Sequence, residues 1–316
     1  DYWVKKMQRV YPEHKGNVGI AYCIMSCFRD FIFSIDNNFP HLYAYGSTSS
    51  GKSKWAESLM ALFCVNRPFF QLNSGTDNAL FLYGGRFMNG LAGFNEFDVN
   101  SIKQERFQQI KGWYDGEGRQ RGVMGGHRRQ TETVDITSGV VLMGQFLVTA
   151  DDNSIVNRSV IEPFTPRNLT NEDKQEYEEL KSMEKKGITS ILLELLEHRE
   201  YFKEHFQKRT NKTLADWRTR YGSGVNFNQR VMQNWSYLYN AIAIAKEKIS
   251  LSIDTEEFNN YCYARASYWC KFLRTSDSLS EFWNTVMFLS ESKLISIGWD
   301  YRIEEVSEIT LRKEKD

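Results

Sequence analysis

Short apolar runs alternate with helical patterns between His41 and Phe164. Five runs of five to seven residues, each bounded by glycine or by polar residues, predict β-strands: HLYAYG, FFQLN, LAGFNEF, VVLMGQF and SVIEPF. The spacing of apolar residues between these runs predicts helices near Ser53–Phe63, Thr76–Tyr83, Ile102–Tyr114 and Asp151–Asn157. Because strands that alternate with helices form parallel sheets, we predict an α/β fold with a mostly parallel sheet covered on both faces.

The pattern changes on both sides of this region. Before it, the run GIAYCIMSCFRDFIF, near Val18–Phe33, predicts a helix that is packed on most sides. After Thr165, charged segments with helical periodicity predict helices, and the one strand candidate is DYRIEEV near the end. We therefore predict three parts: an N-terminal helical segment (residues 1–38), an α/β core (39–166) and a C-terminal helical domain (167–316).

The first strand candidate runs directly into a loop that contains glycine. GSTSSGKS fills every fixed position of the phosphate-binding pattern G-x-x-x-x-G-K-[ST], and a helix is predicted to follow it. Glycines let the backbone wrap around a phosphate with its N–H groups pointing inward, and the start of the helix adds its positive dipole end. In the predicted triphosphate site, Lys52 neutralises the β and γ phosphates and the Ser53 hydroxyl binds Mg²⁺. The alternative is a serine-rich turn that fits the pattern by chance. The predicted nucleotide-binding residues are Gly46, Ser47, Thr48, Ser49, Ser50, Gly51, Lys52 and Ser53.

Two further strand candidates end in polar residues. LAGFNEFD contains Asn95 and Glu96, which would lie near the phosphates because the carboxyl ends of parallel strands meet at one edge of a sheet. Glu96 is the candidate to polarise the attacking water, with Asn95 beside the Mg²⁺, and Asp98 is a weaker candidate than Glu96. GVVLMGQ ends in Gln145, whose amide would contact the γ phosphate. The alternative is a set of polar residues at ordinary strand ends.

Arg158 lies immediately before the last strand candidate, SVIEPF. In a single subunit it would be a surface residue that forms a salt bridge. In a ring of subunits it would instead reach the nucleotide of the neighbour as an arginine finger. The sequence gives no preference between these two roles.

The whole chain has no net charge, with 40 basic and 40 acidic side chains among 316 residues. A polyanion would therefore have to be bound by a local patch rather than by a diffuse field. No window approaches an uncharged membrane span, so no membrane partner is expected. The five cysteines show no paired metal spacing, and Cys23 and Cys27 are expected to pack in the core, which favours a reduced, cytoplasmic protein. Because the chain starts at Asp1 rather than at methionine, we expect a piece of a longer protein.

One local basic patch lies between the acidic strand end and the strand of Gln145. From Lys103 to Arg129 the chain has seven Lys or Arg residues against three Asp or Glu. GVMGGHRRQTETVDI could form a hairpin with Gly125 and Gly126 at or near its tip, because paired glycines permit the backbone of a tight turn. The alternative is a charged hairpin that is only solvated.

These motifs, in this order, resemble those of AAA+ ATPases: a P-loop, an acidic strand end, a polar strand end and an arginine before the fifth strand. Their spacing resembles the superfamily 3 helicase branch, and the nearer likeness is to helicase modules of primase–helicase proteins from phages and bacterial mobile elements. The motifs that carry it are FPHLYAYGSTSSGKS, LNSGT, FNEF, YDGEG and GQ, within Phe39–Phe164. The helical remainder resembles these proteins weakly. One departure is Asn95, which stands where the family has an aspartate and removes a negative charge beside Mg²⁺.

The resemblance implies a fold of the AAA+ type that binds ATP and Mg²⁺ and assembles into a ring, here a hexamer. It implies that the hairpin points into the central pore, where His127, Arg128 and Arg129 would grip the phosphates of single-stranded DNA. It also implies that the helical domain is a lid over the nucleotide, from which an arginine contacts the γ phosphate. Arg230 is one of several possibilities for that arginine.

The function we expect is an ATP-dependent helicase or translocase module that acts on single-stranded DNA in the replication of a phage or mobile element. A first alternative is a nucleotide-switched DNA-binding initiator or loader, whose hydrolysis is slow because of Asn95. A second is a small-molecule or nucleoside P-loop kinase, which the basic hairpin and the long helical remainder disfavour.

Overall fold

The computed structural model describes residues 1–63, 68–98, 101–125, 128–147, 153–222, 227–291 and 294–302. The chain divides into two compact units, residues 1–271 and residues 272–316. In its described part the second unit contains the end of a long helix and a short segment in which Ile297 and Tyr301 form an isolated bridge. The division at residues 38 and 166 stays a prediction.

Seven strands form two sheets among the described residues. In chain order they are β1 (His41–Tyr45), β2 (Phe70–Gln71), β3 (Leu91–Asn95), β4 (Arg119–Gly125), β5 (Arg128–Val134), β6 (Gly139–Gly144) and β7 (Ser159–Pro163). Five of them form a parallel sheet in the order β2-β3-β6-β1-β7, and β4 and β5 form an antiparallel pair. The α/β fold and the five predicted strands of the core are confirmed, although β2 has only two residues. The other four strands are buried along nearly their whole length, as a parallel sheet covered on both faces requires.

Helices connect the strands and continue after the sheet. Within the predicted core they are α4 (Lys52–Ala61), α5 (Asp77–Gly84), α6 (Gln104–Gly112), which runs into a 3₁₀ turn, and α7 (Ser154–Asn157). Before the core lie α1 (Tyr2–Val10), α2 (Lys15–Cys27) and α3 (Arg29–Asp36). After it lie α8 (Asn171–Lys186), α9 (Ser190–Leu196), α10 (Arg199–Tyr221), α11 (Gln229–Lys246) and α12 (Thr255–Glu291).

The run predicted as one buried helix forms two helices. Phe28, between α2 and α3, has φ −120° and ψ 21°, outside the helical region. Just before it, the Ser26 hydroxyl donates to the Tyr22 carbonyl at 2.8 Å and the Cys27 thiol to the Cys23 carbonyl at 3.2 Å. Side chains that bond to the preceding turn in this way bend helices. Almost all of α2 is buried, and α2 packs against α1, α4 and α11.

The helical region after the sheet begins at a specific capping motif. The Thr170 hydroxyl accepts from the Asp173 backbone N–H, and the Asp173 carboxylate accepts from the Thr170 backbone N–H at 2.9 Å. This reciprocal pair satisfies two N–H groups at the start of α8, which explains why a helix starts there.

The cysteines and the apolar helices were the subject of two expectations from composition. Cys23 and Cys27 are buried free thiols, as predicted, and so are Cys262 and Cys270. In the part of the chain that the structure describes, no single helix is long and apolar enough to cross a membrane, whereas α2 and α3, bent by 83°, reach that length and composition as a pair.

Candidate functional site

The loop Gly46–Ser53 connects the carboxyl end of β1 to the first turn of α4. Gly46 has φ 150°, and a Cβ atom at this position would lie 1.9 Å from the Phe164 carbonyl oxygen, so no side chain fits there. Gly51 has φ 93°, but no atom lies within 4 Å of the position of its Cβ. Ser49, with φ 62°, is also in the left-handed region. The curvature of the loop therefore depends on backbone conformations that side chains disfavour.

The Lys52 side chain folds back onto this loop. Its ammonium donates to the Gly46 carbonyl at 2.6 Å, the Ser47 carbonyl at 2.8 Å and the Ser50 hydroxyl at 3.1 Å. Burial lowers the pKa of Lys52, while the nearby carboxylate of Glu96 raises it. Lys52 and Glu96 are thus close enough to interact electrostatically.

Three strands end side by side at this edge of the sheet. Tyr45 of β1 lies opposite Gly144 of β6, and Phe94 of β3 lies opposite Leu142 of β6. Because neighbouring strands are about 4.8 Å apart, the strand of Gln145 is one spacing from the loop and the strand of Glu96 two. The structure therefore brings together the predicted residues Lys52, Asn95, Glu96 and Gln145 at the carboxyl edge of the sheet. Gln145 is exposed, whereas Asn95 and Glu96 are half-buried.

The backbone at Glu96 is unusual. Glu96 has φ 59°, a left-handed conformation that costs on the order of 1 kcal/mol or more for a residue other than glycine. Asn95, just before it, donates from its amide to Gln71 Oε1 at 3.4 Å. Gln71 lies opposite Asn95 on β2 and was not predicted as a site residue. Asp98, the weaker candidate, begins the turn that leads to α6, where its carbonyl accepts from the Ser101 and Ile102 backbone N–H groups.

The oxygen donors at this edge suit a magnesium ion. No group of three or more His, Cys, Asp or Glu residues that could hold a metal occurs among the described residues. Mg²⁺ does not need such a group, because it keeps several waters and is commonly held by one or two protein oxygens and the phosphates. The Ser53 hydroxyl, in the first turn of α4, is a suitable donor, and the Asn95 amide oxygen is a suitable acceptor for a metal-bound water.

A cavity of about 450 Å³ adjoins the loop beside Ser49, Ser50 and Gly51. Its volume is in the range of small-molecule sites. Sequence reasoning missed it because its apolar walls come from segments far apart in the chain. These walls include Val10, Tyr11, Pro12, Phe164, Pro166, Leu169 and Tyr177.

Arg158 lies at the opposite, amino edge of the same sheet. Its carbonyl accepts from the backbone N–H of His41, the first residue of β1, at 3.0 Å. A five-residue strand spans roughly 16 Å, and the phosphate-binding pattern begins at the other end of β1. Arg158 is therefore a strand length away from the Gly46–Ser53 loop of its own subunit.

The Arg158 side chain is held by an aromatic ring and by weak polar contacts. Its guanidinium lies 5.8 Å from the centre of the Tyr114 ring, 3.5 Å from the Asp115 carboxylate and 3.3 Å from the Ser154 carbonyl. The exposed Arg230 guanidinium lies 6.0 Å from the centre of the same ring. Arg230, the candidate lid arginine, thus lies at the same tyrosine ring as Arg158.

Helix α11 supports this cluster through amide side chains. The Tyr114 hydroxyl donates to Asn234 Oδ1 at 3.2 Å, and the Asn234 amide donates to the Asn157 carbonyl at 3.0 Å. Asn228 donates to Asn157 Oδ1 at 2.7 Å. The residue before Arg158 is therefore fixed to α11 at two points.

The predicted hairpin is present in the backbone. Strands β4 and β5 pair from Arg119 opposite Val134 to Gly125 opposite Arg128. Gly126 and His127, at the tip, lie outside the described residues. Arg128 and Arg129 are the first two residues of β5.

No protein-family model and no curated protein sequence matches this chain. Among solved structures, an active helicase described as SCCmec type IV Cch has a TM-score of 0.65 at 14% sequence identity, and the match covers 92% of this chain and 55% of that one. This chain thus has the fold of that helicase and spans about half of its length. Two structures of JCV helicase, one with a bound acetamide compound, each have a TM-score of 0.27 at 15% identity. Their matches cover 87% and 85% of this chain and 66% and 70% of those chains.

Proposed function

We propose that this chain is an ATP-hydrolysing helicase or translocase module that acts on single-stranded DNA, in the replication of a phage or mobile element. The observation that carries the proposal is the carboxyl edge of the sheet, where the phosphate-binding loop of Lys52 and the neighbouring strand ends of Glu96 and Gln145 meet. The fold shared with a helicase supports the same class.

ATP would occupy the loop and the cavity beside it. The backbone N–H groups of Gly46–Ser53 and the positive end of α4 would bind the phosphates. The Lys52 ammonium would exchange its contacts with the loop carbonyls for phosphate oxygens. The apolar cavity walls around Tyr11 and Phe164 suit a purine base, which is flat and largely apolar on its faces.

Hydrolysis requires a base, a charge stabiliser and an oriented water. Glu96 would accept the proton of the attacking water, and its left-handed backbone fixes the direction of its side chain. Gln145, one strand from the loop, would hydrogen-bond to the γ phosphate. Mg²⁺, held by Ser53 and by a water bound to Asn95, would neutralise the charge of the phosphates.

The amino edge would serve the neighbouring subunit. Because Arg158 lies a strand length from its own loop, it can act as an arginine finger only on another subunit, in a ring that we propose to be a hexamer. Its buried Nε makes no hydrogen bond within the described residues, and its ion pair with Asp115 is long. Arg230, over the same tyrosine ring, would add a second positive charge to that surface.

Single-stranded DNA would be bound by the β4–β5 hairpin. The register of this pair puts Arg128 and Arg129 next to the tip of the hairpin. His127 precedes them in the sequence. A basic hairpin tip that enters a ring would contact phosphates without reading bases.

A second candidate is a nucleotide-switched initiator or loader with slow hydrolysis. The observation that favours it is Asn95, whose amide is bound to Gln71 where a carboxylate would otherwise face the metal. Strand displacement distinguishes the two candidates, because a loader would bind DNA in an ATP-dependent manner without separating strands.

The test of the proposal is ATPase activity of the full chain, with and without single-stranded DNA, in the unaltered protein and in Glu96→Gln. We expect DNA to stimulate hydrolysis and Glu96→Gln to bind ATP without hydrolysing it. Asp98→Asn is the matched control, since it removes a carboxylate two residues away. Normal turnover by Glu96→Gln with an inactive Asp98→Asn would move the catalytic base to Asp98, and normal turnover by both would reject an acidic base at this edge.

A further inference from the structure

A second cationic surface lies on the helical part of the chain, away from the hairpin in sequence. Helices α10 and α11 line a groove of about 580 Å³. His205, Lys208, Arg209 and Lys212 follow one face of α10 at helical spacing and line this groove, which we name the basic groove. Sequence reasoning did not single it out, although Arg199–Tyr221 contains seven Lys or Arg residues against three Asp or Glu, because the other wall of the groove comes from α11.

The lysines of the basic groove have no charged partner in the described part of the chain. Lys208 and Lys212 are exposed and one helical turn apart, so that their positive charges repel each other in the isolated chain. Arg209 pairs with Glu247 at 2.7 Å, which uses part of its donor set. Asp216 is the one acid among the lining residues that the structure describes. The lining therefore has an excess of positive charge within a chain that is neutral overall.

The floor of the basic groove is already hydrogen-bonded. Thr213 and Asn240 bond to each other at 3.2 Å, and the Trp217 indole N–H donates to Asn259 at 3.0 Å. Tyr239 is different, because its hydroxyl makes no hydrogen bond among the described residues and its ring is half-buried. Burial raises the pKa of Tyr239, which keeps its hydroxyl protonated and able to donate. The groups that lack partners are thus two cations and one neutral donor beside an aromatic face.

An unpaired set of this kind favours an extended anion with some apolar surface. A nucleic-acid backbone fits, because it presents repeated phosphates to the lysines and a sugar or base to the tyrosine ring. A peptide of acidic residues alone would satisfy the lysines but would offer no ring or apolar face to the tyrosine.

We propose that the basic groove is a second binding site for single-stranded DNA, in which Lys208 and Lys212 contact backbone phosphates. This inference rests on the proposed function, which supplies DNA as the substrate. The groove would hold a segment of the strand outside the one gripped by the hairpin.

The test is binding of a fluorescein-labelled oligothymidylate to the full chain, measured by anisotropy over a series of salt concentrations. Because each phosphate contact on a single strand contributes about 0.7 to the log–log salt slope, Lys208→Gln with Lys212→Gln should make the slope shallower by about 1.4. The same relation gives an affinity loss of about 25-fold at 0.1 M salt. The matched control is Lys174→Gln with Lys185→Gln, which removes the same charge from exposed positions of α8. The control should keep the slope of the unaltered protein.

A second measurement does not depend on any variant. Acetylation of lysines in the unaltered protein, read by mass spectrometry, should slow at Lys208 and Lys212 when the oligothymidylate is present. Inorganic phosphate at the same ionic strength should not protect them. Equal protection by phosphate would show a simple anion site and overturn the assignment to DNA.

The outcomes separate this inference from the proposed function. Equal affinity and slope in the groove variant and its control, with weaker binding by Arg128→Ala/Arg129→Ala, would overturn the groove and leave the proposed function standing. No DNA binding by the unaltered protein would reject the proposed function and the groove together. Unchanged ATP binding and thermal unfolding in the groove variant show that a loss of DNA affinity is local.

Discussion

The two edges of the parallel sheet differ in how they hold their charged residues. At the carboxyl edge, Glu96 has a left-handed backbone, and the Lys52 ammonium is bound to the carbonyls of its own glycine-containing loop. At the amino edge, Arg158 packs on the Tyr114 ring and α11 fixes the residue before it. The carboxyl edge therefore resembles a ligand-binding site, and the amino edge resembles a surface with a fixed positive charge. Because a strand length separates them, a complete proposed site needs the carboxyl edge of one subunit and the amino edge of the next.

Substitution of Lys52 at the carboxyl edge should have the largest effect on ATP binding and hydrolysis. Lys52→Ala should abolish ATP binding and hydrolysis, because it removes the cation that balances the phosphates. Lys52 is half-buried against its loop rather than in the core, so we expect the free energy of unfolding to change little. Lys203→Ala is the control, because Lys203 is exposed on α10 and lines neither the cavity beside the loop nor the basic groove. Calorimetric titration with ATP and a steady-state ATPase assay measure both variants, and unchanged activity in Lys52→Ala would disprove the phosphate-binding assignment.

Substitution of Arg158 at the amino edge should lower the rate of ATP hydrolysis without affecting ATP binding. Arg158→Ala should reduce kcat by about 10³- to 10⁵-fold, the range of an arginine finger, while each subunit still binds ATP. Mixing Arg158→Ala subunits with Glu96→Gln subunits should restore some activity, at interfaces that pair an intact arginine with an intact glutamate. Arg86→Ala, which removes an exposed arginine, should have no such effect. Failure to restore activity at any mixing ratio would assign Arg158 to a structural ion pair within one subunit.

A buried titratable group lies near each end of the sheet. Burial raises the pKa of Glu162, on β7 beside the carboxyl edge, to about 7, although Tyr261 donates to both carboxylate oxygens. Burial lowers the pKa of His41, at the amino edge, to about 3. Glu162 and His41 change the stability of the fold with pH in opposite directions. The folded chain holds the Glu162 proton more tightly than the unfolded chain, so stability falls as the pH rises from about 4.5 to 7. For His41, stability falls as the pH drops from 6.5 toward 3.

Glu162→Gln should therefore stabilise the protein at alkaline pH only. A shift of this size corresponds to a cost on the order of 3 kcal/mol for the ionised form. Urea unfolding at pH 8 should show Glu162→Gln to be more stable than the unaltered protein, and the difference should vanish near pH 4.5. Glu178→Gln, an exposed change on α8, is the control and should have little effect at either pH. A pH-independent difference would mean that Glu162 is ionised throughout this range.

The smallest effect concerns the metal side of the carboxyl edge. Asn95→Asp should tighten Mg²⁺ binding by about tenfold, since it adds a carboxylate in the outer shell of the proposed metal site. To donate to the new carboxylate, the Gln71 amide would have to turn and give up its bond to the Phe69 carbonyl at 3.2 Å, which offsets part of the gain. Asn211→Asp adds the same charge on an exposed face of α10 and is the control. The Mg²⁺ dependence of ATP hydrolysis measures the effect, and equal dependence in both variants would show that Asn95 does not face the metal.

The sequence predicted those features that depend on neighbouring residues. The five strands and the Gly46–Ser53 loop follow from short patterns of apolar residues and glycines, and the hairpin follows from paired glycines. The meeting of Glu96 and Gln145 with Lys52 followed from a general property of parallel strands. The left-handed backbone of Glu96 was not predictable, because glutamate has no intrinsic preference for it and the surrounding fold imposes it.

Features that join distant segments could not be read from the sequence. The cavity beside the loop combines residues near Tyr11 with residues near Phe164 and Tyr177, which only the packing of α1 and α8 brings together. The position of Arg230 at the same ring as Arg158 depends on how α11 packs on Tyr114.

The basic groove, by contrast, had a signal in the sequence, since sorting the residues of α10 by helical face isolates Lys208, Arg209 and Lys212.

The two glycines of the loop should respond differently to random mutation. At Gly46 the obstacle is a carbonyl oxygen that no substitution can move aside, so a mutational scan should recover glycine alone among active clones. At Gly51 the obstacle is only the dihedral angle, and the space beyond is open. Asparagine and aspartate, which tolerate the left-handed region, should therefore survive selection there more often than valine or isoleucine. Two positions of one motif would then share a residue for unrelated reasons, one to make room for the chain and the other to bend it.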